Sequence, residues 1–303
     1  MIEYRASFDA DVTFLNGGGL QVQGFRLDVP GPGTSVEELS ALFVAHLGLL
    51  MVDQVRLSNV EVFAEAHKGS RGGPAAVGAV PSGGRLVDLS HPIEAGMTTY
   101  PGLPGPEIFP HLTREESRTR YAEGTEFTID RISMLSNTGT YVDSPFHRYE
   151  GGVDLAGLPL ESLADLPVVV VRLDGATGRA ITAWTLAAYD VAGRAVLLHT
   201  GWDRHWRTDA YGVDAPYLTG DGARHLVDKG AKLVGIDSVN IDCTDGGDRP
   251  AHSILLAAGV PVLEHLTNLG DLPVHGARLH AAPAPVRDFG TFPVRAYAVV
   301  PDA

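Results

Sequence analysis

Between residues 68 and 84 the chain holds six glycines and two prolines with little apolar periodicity, a composition suited neither to a helix nor to a strand. This stretch reads as a linker, and it divides the chain into a small unit, residues 1–67, and a larger one, residues 85–303. In the small unit Leu20 and Val22, then Phe25, Leu27 and Val29, alternate with a slip of phase at Gly24 that a β-bulge would produce. Ser35-Val36-Glu37-Glu38 forms a capping box ahead of Val36, Leu39, Leu42, Phe43 and Leu47, which follow helical spacing. Val55 and Leu57, then Val60 and Val62, read as two further short strands. The small unit is thus expected to be α+β, in an approximate β-β-α-β-β order.

The larger unit alternates strand and helix patterns, which by periodicity alone supports a mixed α/β domain. Leu166-Pro167-Val168-Val169-Val170-Val171 has the length and composition of a fully buried strand. Helices are expected around 183–189, over 220–228, and over 249–259, the last with His252 near its start.

The chemistry concentrates in Asn137-Thr138-Gly139-Thr140-Tyr141-Val142-Asp143-Ser144-Pro145-Phe146-His147. In an extended strand Asn137, Tyr141 and Asp143 share one face, and Pro145 ends the ladder so that His147 lies just beyond it. An amide, a phenol, a carboxylate and an imidazole then converge. His147 is the candidate for proton transfer, with Asp143 orienting it, and Tyr141 and Asn137 are candidates to hold a carbonyl oxygen. Trp202, Tyr100 and Phe146 are candidate walls of an aromatic-lined substrate pocket.

This segment resembles the signature of the cyclase family, the metal-dependent hydrolase group that includes bacterial kynurenine formamidase and isatin hydrolase, which reads His-x-Gly-Thr-His-x-Asp-x-Pro-x-His. Val87-Asp88-Leu89-Ser90-His91-Pro92, Leu198-His199-Thr200-Gly201-Trp202, Gly235-Ile236-Asp237-Ser238, His252, Glu264 and Asn268-Leu269 continue the resemblance in order over about residues 86 to 300. It implies the swivelling β/β/α fold for the larger unit. It also implies that two signature histidines and the aspartate bind one metal, and that the aspartate, a later histidine and a glutamate bind a second. Here Asn137 and Tyr141 replace the two histidines, and an amide or a protonated phenol is a poor ligand beside imidazole. No cofactor is favoured on this basis. Asp143, His252 and Glu264 remain as a set able to hold a single divalent cation, zinc or manganese.

Other classes find little support. The formal charge of −14 disfavours nucleic acid and anionic membrane surfaces, and no apolar run is long enough to cross a bilayer. The single cysteine, Cys243, excludes an internal disulfide framework, and the first residues lack a secretory pattern, so a cytoplasmic protein is expected. There is no phosphate loop, nucleophile elbow, zinc helix or dinucleotide fingerprint. The favoured expectation is a homo-oligomeric enzyme that closes a ring on a polyketide-like or aromatic secondary metabolite by acid–base catalysis, a lyase or isomerase type of reaction. The alternatives are a metal-dependent hydrolase of an amide, formamide, ester or lactone, and a catalytically silent binding protein.

Overall fold

Four consecutive valines, Val168 to Val171, are each fully buried in the computed structural model, and they show how the larger unit is built. The structure describes residues 2–15, 19–47, 49, 52–66, 84–100, 102–176 and 178–301. These fall into two compact units, Met1–Pro81 and Ser82–Ala303. Apart from Gly84, the expected linker lies outside the described residues.

In the first unit β1 (Ile2–Phe14), β2 (Gly19–Val29), α1 (Val36–His46) and β3 (Val52–Ala66) form an antiparallel sheet in the order β2-β1-β3 beside one helix. Ser35 and Glu38 make the expected reciprocal cap. Phe8, Phe25 and Phe43 meet edge to face at the centre, with Phe43 5.4 Å from Phe8 and 5.0 Å from Phe25. The bulge expected at Gly24 is present, with φ of 61° and a register shift between Phe8 and Ala10. The two short strands expected after the helix are one strand, because a second bulge at Asn59, φ 51°, reverses the apolar phase without ending the pairing. One side chain secures both bulges. Asp9 Oδ1 accepts from Gly24 N at 2.7 Å and Asp9 Oδ2 from Asn59 Nδ2 at 2.7 Å.

The second unit contains β4 (Arg85–Asp88), β5 (Glu107–Leu112), α2 (Arg114–Ser117), β6 (Ile129–Ser133), β7 (Tyr141–Asp143), β8 (Leu166–Arg172), β9 (Ala180–Ile181) and α3 (Ala183–Leu186). There follow β10 (Ala195–His199), β11 (Tyr217–Leu218), α4 (Gly220–Asp228), β12 (Leu233–Ile236), α5 (Pro250–Ala257), β13 (Val262–Glu264), β14 (His275–His280), β15 (Thr291–Pro293) and β16 (Tyr297–Val300). Nine strands make one mixed sheet in the order β15-β7-β13-β12-β10-β8-β14-β16-β4. Its centre, β8, β10, β12 and β13, is parallel, and the flanking pairs are antiparallel.

Alternate valines of β8 enter different cores: Val168 and Val170 pack with Leu197, Leu263 and Leu279, whereas Val169 and Val171 pack with Leu226, Leu255 and Leu256 from α4 and α5. Both faces are covered over Val168 to Val171, so a polar residue has no tolerable position there, and the sequence from Leu166 to Val171 is a continuous apolar run. The helix over 220–228 is as expected. The one expected over 183–189 is a four-residue turn, and the one over 249–259 is trimmed to Pro250–Ala257, with Pro250 at its first position. Val170→Ala removes two methyl groups from a site that cannot collapse, so it should cost about 2 kcal/mol of unfolding free energy. Urea denaturation reads this directly, and a loss below about 0.5 kcal/mol would contradict a doubly covered strand.

Candidate active site

Three short strands deliver the reactive groups in register. β7 lies between β13 and β15, so Asp143 pairs with Val262 on one side and Thr291 on the other, and Tyr141 pairs with Glu264 and Pro293. The ladder expected from residue 137 begins only at Tyr141, because Gly139 turns the chain with φ of 65°. Asn137 therefore reaches the site from the preceding loop and does not share the strand face of Tyr141 and Asp143. Past β7, Pro145–His147 forms a 3-10 turn that carries His147, as the proline suggested. Gly290 lies directly beneath: a Cβ there would come within 2.5 Å of His147 N, so only glycine permits this approach of β15.

The hydrogen bonds show what each group is free to do. Thr291 Oγ1 donates to Asp143 Oδ1 and lies 2.8 Å from His147 Nδ1. The hydroxyl has one hydrogen, so once it is given to Asp143 the oxygen accepts, and His147 Nδ1 must be the donor. Asp143 and His147 are 3.8 Å apart and are connected through the Thr291 hydroxyl. Among the described residues, His147 Nε2 has no hydrogen-bond partner in the protein.

His252 is the hub of the buried floor. Its Nδ1 is held by Asp242 Oδ2 at 2.7 Å, and its Nε2 faces Asp143 Oδ2 at 3.5 Å and Glu264 Oε1 at 3.6 Å. Asp143 Oδ2 is buried without a hydrogen-bond partner. Burial alone would lower the His252 pKa, but the carboxylates of Glu264, Asp143 and Asp242 outweigh it and lift the imidazole to about 10. Glu264 is raised to about 7 by burial and by Asp143, against the opposing pull of His252 and Tyr141. Its Oε2 accepts from Tyr141 Oη at 2.5 Å and its Oε1 from Ile241 N at 2.6 Å. Burial and the nearby Glu264 charge hold the phenols of Tyr141 and Tyr100 well above their ordinary range, so both are neutral. Tyr141's one hydrogen is committed to Glu264, and so is not available to a substrate oxygen as its expected role required. Asn137 is better placed for that role: its Oδ1 accepts from Ser136 Oγ at 2.9 Å, and its Nδ2 has no protein partner among the described residues.

Tyr100, Asn137, Tyr141, His147, His252 and Glu264 all line one cavity of about 800 Å³, with Asp143 just beneath. Two of the expected aromatic walls do not. Trp202 packs with Tyr211 and Trp206 behind Tyr100, its indole N–H bonded to Tyr211 O, and Phe146 lies half-buried on the 3-10 turn outside the cavity lining. Asp143, His147 and His252 offer ligand atoms within 4.8 Å of one another, a set consistent with one divalent cation. Thr291 and Asp242 escaped the sequence reading, since neither belongs to a local motif and only the fold brings them to Asp143 and His252.

The family model described as "Putative cyclase" matches residues 87–243, over half of the chain. The chain belongs to the Cyclase family. Kynurenine formamidase of Erythrobacter litoralis is 30% identical over 210 residues, 67% of this chain and 88% of that protein. The Bacillus cereus kynurenine formamidase is 26% identical over 211 residues, 69% of this chain and 95% of the relative. Among solved structures, an isatin hydrolase bound to the product analogue thioisatinate superposes with a TM-score of 0.62 at 24% identity, covering 73% of this chain and 94% of the other. A potential metal-dependent hydrolase with cyclase activity gives 0.60 at 28% identity, covering 72% and 99%. The larger unit thus has the swivelling β/β/α fold of the Cyclase family. This member is an enzyme, and its relatives are hydrolases.

Removal of the Thr291 hydroxyl tests the link between Asp143 and His147. Thr291→Val should lower turnover by about 10- to 100-fold and cost about 1–3 kcal/mol, because a buried acceptor is left unpaired. Thr291→Ser should restore both in steady-state kinetics and thermal unfolding.

A pH experiment isolates His265. It is fully buried, with its Nδ1 2.9 Å from Tyr211 Oη, and burial, with a smaller contribution from His91, pushes it down to about 3. The unfolded chain therefore binds a proton there that the folded chain does not, and stability is lost as pH falls from about 6.5 towards 3, by about 1.4 kcal/mol per pH unit. His265→Gln removes this dependence. The stability gap between wild type and variant should narrow at that slope below pH 6, and a gap independent of pH would show that His265 is charged in the fold.

Proposed function

We propose that the chain is a metal-dependent hydrolase that cleaves an amide, formamide, ester or lactone bond in a small molecule, with one divalent cation held by Asp143, His252 and Glu264. The observation that carries this reading is the unpartnered Asp143 Oδ2 facing His252 Nε2. Separations of 3.5 and 3.6 Å across His252 Nε2 are long for hydrogen bonds. They leave room for a cation that Asp143 Oδ2, His252 Nε2 and Glu264 Oε1 would hold between them. The outer atoms of all three side chains are already held: Asp143 Oδ1 by Thr291, His252 Nδ1 by Asp242, and Glu264 Oε2 by Tyr141. Such outer partners fix ligand orientation at metal sites. The relatives' activities support the same reading over ring closure without a metal, and the commitment of Tyr141's hydrogen weakens the latter further.

A bound divalent cation supplies Lewis-acid polarisation of a carbonyl and a lowered pKa for water. The chain's own groups supply the rest. His147 Nε2, left as an acceptor by the Nδ1 contact to Thr291, takes the proton from the attacking water and returns it to the departing nitrogen or oxygen as the bond to carbon breaks. Asn137 Nδ2 holds the carbonyl oxygen as it gains charge. Tyr141 keeps Glu264 oriented, and Leu103, Leu135 and Tyr100 line the cavity around the reacting groups.

Protein purified without chelator should contain close to one equivalent of Zn²⁺ or Mn²⁺, and a chelator should abolish turnover of an aryl formamide until that metal is restored. Asp143→Asn and Glu264→Gln should lose the metal in elemental analysis. His147→Ala should keep it while turnover drops by about 10²-fold or more. Full activity in metal-free protein would return the site to acid–base chemistry alone, and metal loss on His147→Ala would exchange the assignments of His147 and Glu264.

A further inference from the structure

The small unit lies outside residues 87–243, which carry the family match, and its sheet ends on a long open strand. β3 runs for 15 residues and pairs with β1 on one side, so among the described residues its other edge has no ladder partner. Monomeric proteins blunt such an edge with a short strand, lysine, proline or a bulge. β3 has neither lysine nor proline, and its one device on that list is the bulge at Asn59. Nor does the helix cover its apolar side. The 11 residues of α1 span about 16 Å, against about 50 Å for the 15 of β3. Val55, Leu57 and Val62, which pair with the buried Val12, Ala10 and Ala6, are only partly buried, and Val60 is 37% exposed. Arg56 and Glu61 lie on the opposite face, beside Asp11 and Ser7, and neither makes an ion pair among the described residues.

We infer that the free edge of β3 is a self-association surface, and that its partner is β3 of a second copy of this chain. The phase reversal at Asn59 makes the strand complementary to itself. Antiparallel pairing about a twofold axis between Ser58 and Asn59 sets Val55 opposite Val62, Arg56 opposite Glu61 and Leu57 opposite Val60, each of them twice. A twofold axis normal to the sheet keeps each face on its own side. Apolar side chains therefore meet on the helix side, and opposite charges meet on the other, as cross-strand pairing favours. A slip of one residue sets Val55 against Glu61 and Arg56 against Val60, which mixes the two faces and removes both charge pairs. Paired in this way, the two sheets become one of six strands, and the half-covered apolar row of each copy gains a neighbour. The inference is independent of the reaction catalysed by the larger unit.

The test is a charge exchange in the full-length chain, read as mass by sedimentation equilibrium over a range of concentrations. Arg56→Glu or Glu61→Arg alone places like charges opposite each other at both pairs, and each should raise the dissociation constant about tenfold or more. Mixing the two single variants in equal amounts puts opposite charges back at both pairs, and so does combining the substitutions in one chain. Both should restore the wild-type constant to within about threefold. Association through any other surface is common to all these proteins and cancels in the comparison. A variant that has merely lost its fold would not be rescued by mixing, so recovery in the mixture shows that both strands are intact and paired with each other. Equal mass for wild type and both single variants would overturn the surface. So would a loss in the single variants that neither the mixture nor the double exchange recovers.

Discussion

Three carboxylates closing on one imidazole set the terms for the rest of this molecule. Asp242 holds one nitrogen of His252, and Asp143 and Glu264 approach the other, all four side chains being almost wholly buried. Removing such charges from water costs several kcal/mol per ion unless opposite charge compensates. One imidazolium cannot balance three carboxylates, so without a cation the cluster holds protons, with His252 raised to about 10 and Glu264 to about 7. A divalent cation supplies the same compensation with fewer protons. A cation held at the floor of the cavity would therefore compete with protons, and its affinity would depend on pH.

Much of the scaffold was legible because its signals are local. The buried valine run, the capping box at Ser35, the helix over 220–228 and the bulge at Gly24 each reflect neighbours in sequence. The failures share a cause as well. Asn59 looked like a strand end because the apolar phase reverses there, yet Asp9, fifty residues earlier, holds the bulge inside one strand. Asn137 was placed on the strand because alternation takes no account of the positive φ at Gly139.

Within the site, the sequence named candidate groups but not their connections. Thr291 is 148 residues from Asp143 and Asp242 is ten from His252, and neither separation carries a signal until strands pair. Tyr141 was legible as a departure from the family's histidine, and its neutrality follows from chemistry alone. That its hydrogen belongs to Glu264 depends on register. Trp202 was read as a pocket wall on aromatic character, whereas it supports one: it packs in the cluster that includes Tyr100.

The three-strand ladder of β13, β7 and β15 has a consequence for how such a site can change. Asp143, Thr291, Tyr141 and Glu264 are positioned by main-chain pairing, which does not depend on which side chain each residue carries. Histidine, asparagine and tyrosine codons differ from one another by a single base at the first position. An exchange of imidazole for phenol at 141 is thus a short step in the gene that leaves the strand pairing undisturbed. A lineage can then explore different ligand sets, and with them different metals and reactions, without first passing through an unfolded protein.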